Sequence, residues 1–372
     1  MLHRPDWHEP LTDRRWDEPW VRDAVAALVD DAVAAYDPDD LWPAHEWDGY
    51  RAALPLKNLY VGAAGMAWAL ARLEADAIDP AAVAVRALER FVAEPDFAEG
   101  EEHPQRRSAL LVGETGIALV GWLLGGRPAA LRERLRELVR ANLGNDANEL
   151  MWGVPGTLLA ARALGDADAI RACEEEVRAA RDPDGLWTQH VWGETFRALG
   201  PPHGLVGNVL ALGEIGNAAD VLRERATREG GVANWGTKLQ WCDGAPGIVA
   251  CSSRYLDEDL LLEASRLIWD AGPPERNEKG SGLCHGTAGN GHALLKTFER
   301  TGDELWLERA RRFAVHALEQ ARALPPRYSL FTGGVGAAVF AVDCVDGTGA
   351  FPIVERAAPR LRAGAASRAR RR

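Results

Sequence analysis

Apolar residues recur at helical spacing along most of this chain. In "VRDAVAALVDDAVAAY" from Val21 and "LRERLRELVRANL" from Leu131 they fall three and four residues apart, which leaves charged residues on the opposite face. No strand-like run competes, so the pattern predicts an all-α protein. A second kind of stretch is apolar nearly all round: "GAAGMAWAL" from Gly62, "GETGIALVG" from Gly113, "GVPGTLLAA" from Gly153, "GLVGNVLAL" from Gly204, "GAPGIVACS" from Gly244, "GTAGNGHAL" from Gly286 and "GGVGAAVFA" from Gly333. Each opens G-x-x-G. They recur roughly every 40 to 50 residues, the length of two helices and their connections.

The alternation predicts seven helical hairpins, with an apolar inner helix starting at each G-x-x-G and a charged outer helix covering it. "PAALRERLRELVRAN" and "DELWLERARRFAVHALEQA" are outer helices of this kind. Hairpins in series form either an open solenoid or a closed ring. Inner helices this small and apolar favour the ring, because glycine at their starts lets neighbouring backbones approach closely. Their unpaired N-terminal N–H groups then point to one end, and function is expected there.

Composition narrows the class. The 372 residues carry apolar content ample for a large core, and the formal charge of -12 argues against nucleic acid or anionic lipid as a partner. The expected organisation is a Trp-rich helical extension over residues 1–50, a ring over 51–358 and a basic, solvated and disordered tail over 359–372 ending "SRARRR". Trp7, Trp16, Trp20, Trp42 and Trp47 are expected to pack against the ring. The start lacks the pattern of a secretory signal, and nowhere do some 18 apolar residues run together, so a cytoplasmic location without membrane insertion is expected. Five scattered cysteines do not make a disulfide framework, and a reducing compartment leaves them for metal, catalysis or the core.

Three repeats carry reactive residues. His203 directly precedes Gly204, Cys242 stands two residues before Gly244, and Cys284–His285 directly precede Gly286. If the repeats align in space as they do in sequence, these residues emerge together at one end of the ring. Two thiolates and an imidazole suit zinc, and three protein ligands leave a fourth position open, as in catalytic sites. Each cysteine by itself reads first as a small buried apolar residue, and it is the shared register that makes a joint metal site an equal reading. Cys173, Cys251 and Cys344 lie outside the glycine register and are assigned to the core.

"WCDGAPG", "GLCHGTAGN", "PPHGLVGN" and the seven repeats together resemble the lanthionine cyclase (LanC-like) family, over Leu56 to Glu355. "KGSGLCHGTAGN", "YSLFTGGVGAAVF" and "AFPIVE" are similar to the LanC-like branch of eukaryotes, whose members bind glutathione. The resemblance implies an alpha/alpha toroid, a double ring of helices, with zinc held by Cys242, Cys284 and His285 and with His203 as the catalytic histidine. It implies addition of a thiol to the alkene of a dehydroalanine or dehydrobutyrine residue, giving a thioether. It places Lys279 and Arg322, the latter upstream of "YSLF", at basic positions that contact glutathione.

Asp243 departs from the pattern, since relatives often carry histidine or tyrosine there. Two other readings stand beside the enzyme: a zinc- and glutathione-binding regulatory protein without turnover, and a carbohydrate-active barrel. The barrel needs two paired carboxylates. Glu114 and Asp243 border glycine motifs, but nothing in the sequence pairs them.

Overall fold

The computed structural model describes residues 1–98, 103–275 and 280–359. Among them are fourteen α-helices. We number these α1 (Glu18–Ala34), α2 (Ala63–Arg72), α3 (Pro80–Ala93), α4 (Glu114–Leu124), α5 (Ala129–Asn142), α6 (Val154–Leu164), α7 (Ala167–Ala179), α8 (Leu205–Leu212), α9 (Ala218–Arg225), α10 (Ala245–Ser252), α11 (Glu258–Ala271), α12 (Thr287–Thr301), α13 (Glu304–Ala323) and α14 (Gly334–Asp346).

The even-numbered helices are the G-x-x-G helices, and the first glycine of each motif is the helix N-cap. They are buried on almost every face. The odd-numbered helices bury one stripe only, as Val83, Ala84, Ala87 and Phe91 do on α3. Asp79, Asp166 and Asp303 cap α3, α7 and α13 by accepting backbone N–H bonds.

The second glycine of each motif explains the ring. A Cβ on Gly65, Gly116, Gly156, Gly207, Gly247, Gly289 or Gly336 would lie 1.8–2.3 Å from the carbonyl oxygen six residues earlier in its own repeat. The approach loop therefore folds flat across the first turn of the helix it feeds. The same glycines also touch the neighbouring repeat: Gly116 meets Leu59, Gly156 meets Leu110, Gly207 meets Leu150, Gly247 meets Pro201, Gly289 meets Trp241, Gly336 meets Leu283, and Gly65 meets Leu330. That series returns to its start, so the seven inner helices close into a ring, with α14 against α2.

Six inner–outer pairs are consecutive in sequence, and the seventh unit is assembled from the two chain ends, α14 and α1. The chain after α14 turns inward, and the buried Phe351 stacks on Trp241 at 4.6 Å. Arg356 and Arg72 pair with the buried Asp343, and Lys296 pairs with Glu355.

Three short antiparallel ribbons interrupt the expected all-helical connections: β1–β2 (Gln189–Val191 and Glu194–Phe196), β3–β4 (Thr227–Glu229 and Val232–Asn234) and β5–β6 (Leu239–Gln240 and Asp243–Gly244). They are two or three residues per strand, too short for a period of two to show. Of the five tryptophans expected to pack on the ring, Trp42 is buried and Trp16 and Trp20 lie partly buried against the core. Trp7 is also partly buried, with Arg4 over its ring. Trp47 does not pack: it is 57% exposed, because its loop carries it to the rim of a cavity. Residues 360–372 of the basic tail and Lys279 lie outside the described residues.

Candidate active site and metal centre

The residues five and four positions before each second glycine emerge together at one end of the ring. At the first of these positions stand Tyr60, Leu111, Met151, Pro202, Cys242, Cys284 and Phe331. Backbone bonds run between several of them: Tyr60 N–H to Leu111 O, Met151 N–H to Pro202 O, Cys242 N–H to Cys284 O, Cys284 N–H to Phe331 O, and Phe331 N–H to Tyr60 O. The second position supplies His203 and His285. The register that builds the fold thus gathers the chemistry.

Cys242, Cys284 and His285 offer two Sγ atoms and one imidazole nitrogen, all within 4.8 Å of one another. Cys284 Sγ lies 3.6 Å from His285 Nε2. The hydrogen bond that the Cys242 thiol shares with the neighbouring Cys284 favours its protonated form and, together with burial, pushes it well above its ordinary range. Two thiols held this close repel as thiolates unless a cation stands between them, and the donor set of two sulfurs and one imidazole fits zinc. Gly244, at φ 101°, lets the chain turn directly after Cys242 and Asp243; a Cβ there would sit 1.9 Å from the Lys238 carbonyl oxygen.

Beneath the cluster lies an aromatic floor of Trp241, Phe331 and Phe351. Burial and the adjacent Cys284 and Cys242 hold the Tyr60 hydroxyl well above its ordinary value. The other three cysteines behave as core residues. Burial pushes Cys173 up to about 12 and holds Cys251 and Cys344 well above the ordinary thiol range.

His203 reaches the site on a loop pressed against the Cys242 segment: a Cβ on Gly200 would lie 2.1 Å from the Cys242 carbonyl oxygen. Its Nδ1 lies 2.7 Å from Oε2 of Glu149, which is fully buried. A carboxylate only accepts, so Nδ1 carries the hydrogen and Nε2 is the nitrogen left for other work. Glu149 is itself held by the backbone N–H groups of Trp152 (2.6 Å) and Met151 (3.2 Å). Sequence reasoning missed Glu149, although it stands four residues before Gly153 in the repeat that packs beside that of His203.

A cavity of about 910 Å³ opens over this end, with His285, Tyr60, Met151, Trp192 and Arg327 among its lining. Arg322 is not there; it is exposed on the last turn of α13, beside a separate surface depression. Arg327, the arginine directly before Tyr328, reaches the cavity instead, fastened by the buried Asp48 (Nε to Oδ2, 2.7 Å), which also accepts from Thr332. Asp243 turns to Lys238 at 3.1 Å and is not among the clustered donor groups. Glu114 makes a bidentate pair with Arg134. Each carboxylate the carbohydrate reading would need is thus engaged by its own cation, and nothing brings the two together.

Comparison with known proteins identifies the family and the fold. The lanthionine synthetase C-like protein family matches residues 56–355. Glutathione S-transferase LANCL1 of Danio rerio is 31% identical over 131 residues, covering 32% of this chain and 31% of the relative. LanC-like protein GCL1 of Arabidopsis thaliana is 30% identical over 123 residues, covering 29% and 28%. These alignments span about a third of each relative's length. Among solved structures, nisin cyclase superposes with a TM-score of 0.55 at 14% identity, over 87% of this chain and 95% of that one, and so shares the fold. Among the described residues, no helix is long and apolar enough to cross a membrane.

Proposed function

The chain belongs to the lanthionine synthetase C-like family, and on that footing we propose that it is a zinc-dependent enzyme joining a thiol to the alkene of a dehydroalanine or dehydrobutyrine residue. The observation that carries this reading is the convergence of Cys242, Cys284 and His285 with a separate His203–Glu149 pair at one end of the ring. Held by the two Sγ atoms and the imidazole, zinc would acidify an incoming thiol, while two cysteinates balance its charge and keep the sulfur nucleophilic.

In the addition, the sulfur forms a bond to the β-carbon, the alkene electrons move toward the adjacent carbonyl, and a proton must reach the α-carbon. His203 supplies it from Nε2, because Nδ1 is committed to Glu149. Glu149 fixes the tautomer and the orientation of the ring. The aromatic floor keeps water from the cluster from below, which strengthens the electrostatic interactions within it.

The thiol is glutathione or a peptide cysteine. The names of the Danio rerio relative and of nisin cyclase support these two donors respectively. Lys279 is a proposed contact for the donor's carboxylates, and Arg327, which lines the cavity, takes the role expected of Arg322.

The test is metal content by plasma mass spectrometry, then thiol addition to a dehydroalanine peptide. About one zinc per chain in the wild type, lost in Cys242→Ala, is expected, together with turnover that His203→Ala abolishes without losing metal. A metal-loaded wild type that adds neither glutathione nor a peptide thiol leaves only the non-catalytic binding protein.

A further inference from the structure

Aromatic side chains exposed to water are scarce in this protein, and their distribution is uneven. Among the described residues three are more than a third exposed: Trp47 (57%), Tyr50 (67%) and Trp192 (50%). All three line the cavity that contains His285. Exposed apolar surface gathered at one opening marks a place where something is bound.

Trp192 is the most informative of the three. It stands at the tip of the β1–β2 ribbon, in a two-residue turn with Gly193 whose φ values are 57° and 73°. A turn with both central residues left-handed favours asparagine or glycine first, and a bulky side chain is disfavoured there. The indole gains little burial in return. It lies edge-on to the His203 ring at 5.2 Å and is backed by Phe196 at 6.4 Å, so the ribbon holds it out beside the proton-transfer residue. Also on the cavity wall, Arg51, likewise left-handed at φ 56°, lies over the Tyr50 ring.

We propose that this rim recognises the residue next to the reacting one, selecting peptides with an aromatic or large aliphatic side chain adjacent to the dehydroamino acid, and that Trp192 is the surface on which that side chain packs. The inference rests on the proposed function for the identity of the reacting residue. The binding it claims requires neither turnover nor metal.

The test uses the full chain and two fluorescein-labelled peptides with alanine in place of dehydroalanine, flanked on both sides by phenylalanine in one and by glycine in the other. Anisotropy titration of the wild type is expected to show the phenylalanine peptide binding about tenfold tighter, the scale of one buried aromatic contact. Trp192→Asn is expected to lose that preference while its melting temperature holds or rises, since asparagine suits the turn. Trp192→Phe is expected to restore most of the preference. Equal affinity for the two peptides in the wild type, no binding of either, or a preference kept in Trp192→Asn, each overturns the proposal. A preference found in a protein that adds no thiol leaves this inference standing and removes the enzymatic reading.

Discussion

Gly200→Ala tests whether the distance between the His203 loop and the proposed metal-ligand segment governs turnover. The new Cβ would lie 2.1 Å from the Cys242 carbonyl oxygen, and ordinary contact begins at 3.4 Å, so one segment must retreat by about 1.3 Å. The Cys242 side is the better anchored. Trp241 is fully buried and stacked on Phe351, and the Cys242 N–H is bonded to Cys284 O. The His203 loop is therefore expected to yield.

A shift on this scale at a proton donor lowers turnover by about a hundredfold. The overpacking costs about 1–3 kcal/mol of stability. The assay is single-turnover thioether formation on a dehydroalanine peptide by mass spectrometry, run beside zinc content on the same preparation. Metal near one per chain with turnover down by that factor supports the reasoning. Wild-type turnover in a folded, metal-replete Gly200→Ala refutes it, and lost metal would show that the Cys242 segment moves instead.

Cys284→Ala removes one of the two clustered sulfurs and is expected to lose zinc while keeping its helical circular dichroism; stoichiometric metal in the folded variant would take Cys284 out of the ligand set. Glu149→Gln preserves shape but removes the charge facing His203, and a lost charge-assisted bond is expected to slow turnover by roughly ten- to a hundredfold with zinc retained. Unchanged rates in that variant would reduce Glu149 to a backbone cap. Asp166→Ala removes the α7 cap and is expected to cost about 1 kcal/mol at pH 7 by urea denaturation. The Ala169 N–H and then Arg136 hold this carboxyl below its usual value, so its contribution is present at neutral pH and lost on acidification; the gap to wild type should narrow below about pH 4. A gap that stays constant down to pH 3 contradicts that assignment.

Much of the candidate site was legible because it follows the repeat. His203, Cys242, Cys284 and His285 stand at fixed offsets from the glycines, and the offset is a spatial coordinate once the helices close into a ring. Glu149 was not legible: its importance comes from facing His203 across a repeat boundary, and an isolated glutamate before an apolar helix looks like any charged loop residue. Arg322 and Arg327 are five residues apart, and only the course of the chain after α13 sends one to the surface and the other into the cavity. The ribbons escaped notice because strands of two or three residues carry no periodicity.

Local sequence by itself determined where the inner helices start, which faces are apolar and which residues carry reactive side chains. These are properties of neighbouring residues: a glycine admits close backbone approach, and a 3.6-residue period sorts a helix face. Tertiary structure alone decided that α1 and α14 complete the ring from opposite ends of the chain, that Gly200 presses the His203 loop onto Cys242, and that Trp47, Tyr50 and Trp192 meet around one opening. Each of those depends on residues far apart in sequence arriving at one place, and no spacing along the chain encodes that until the core has closed.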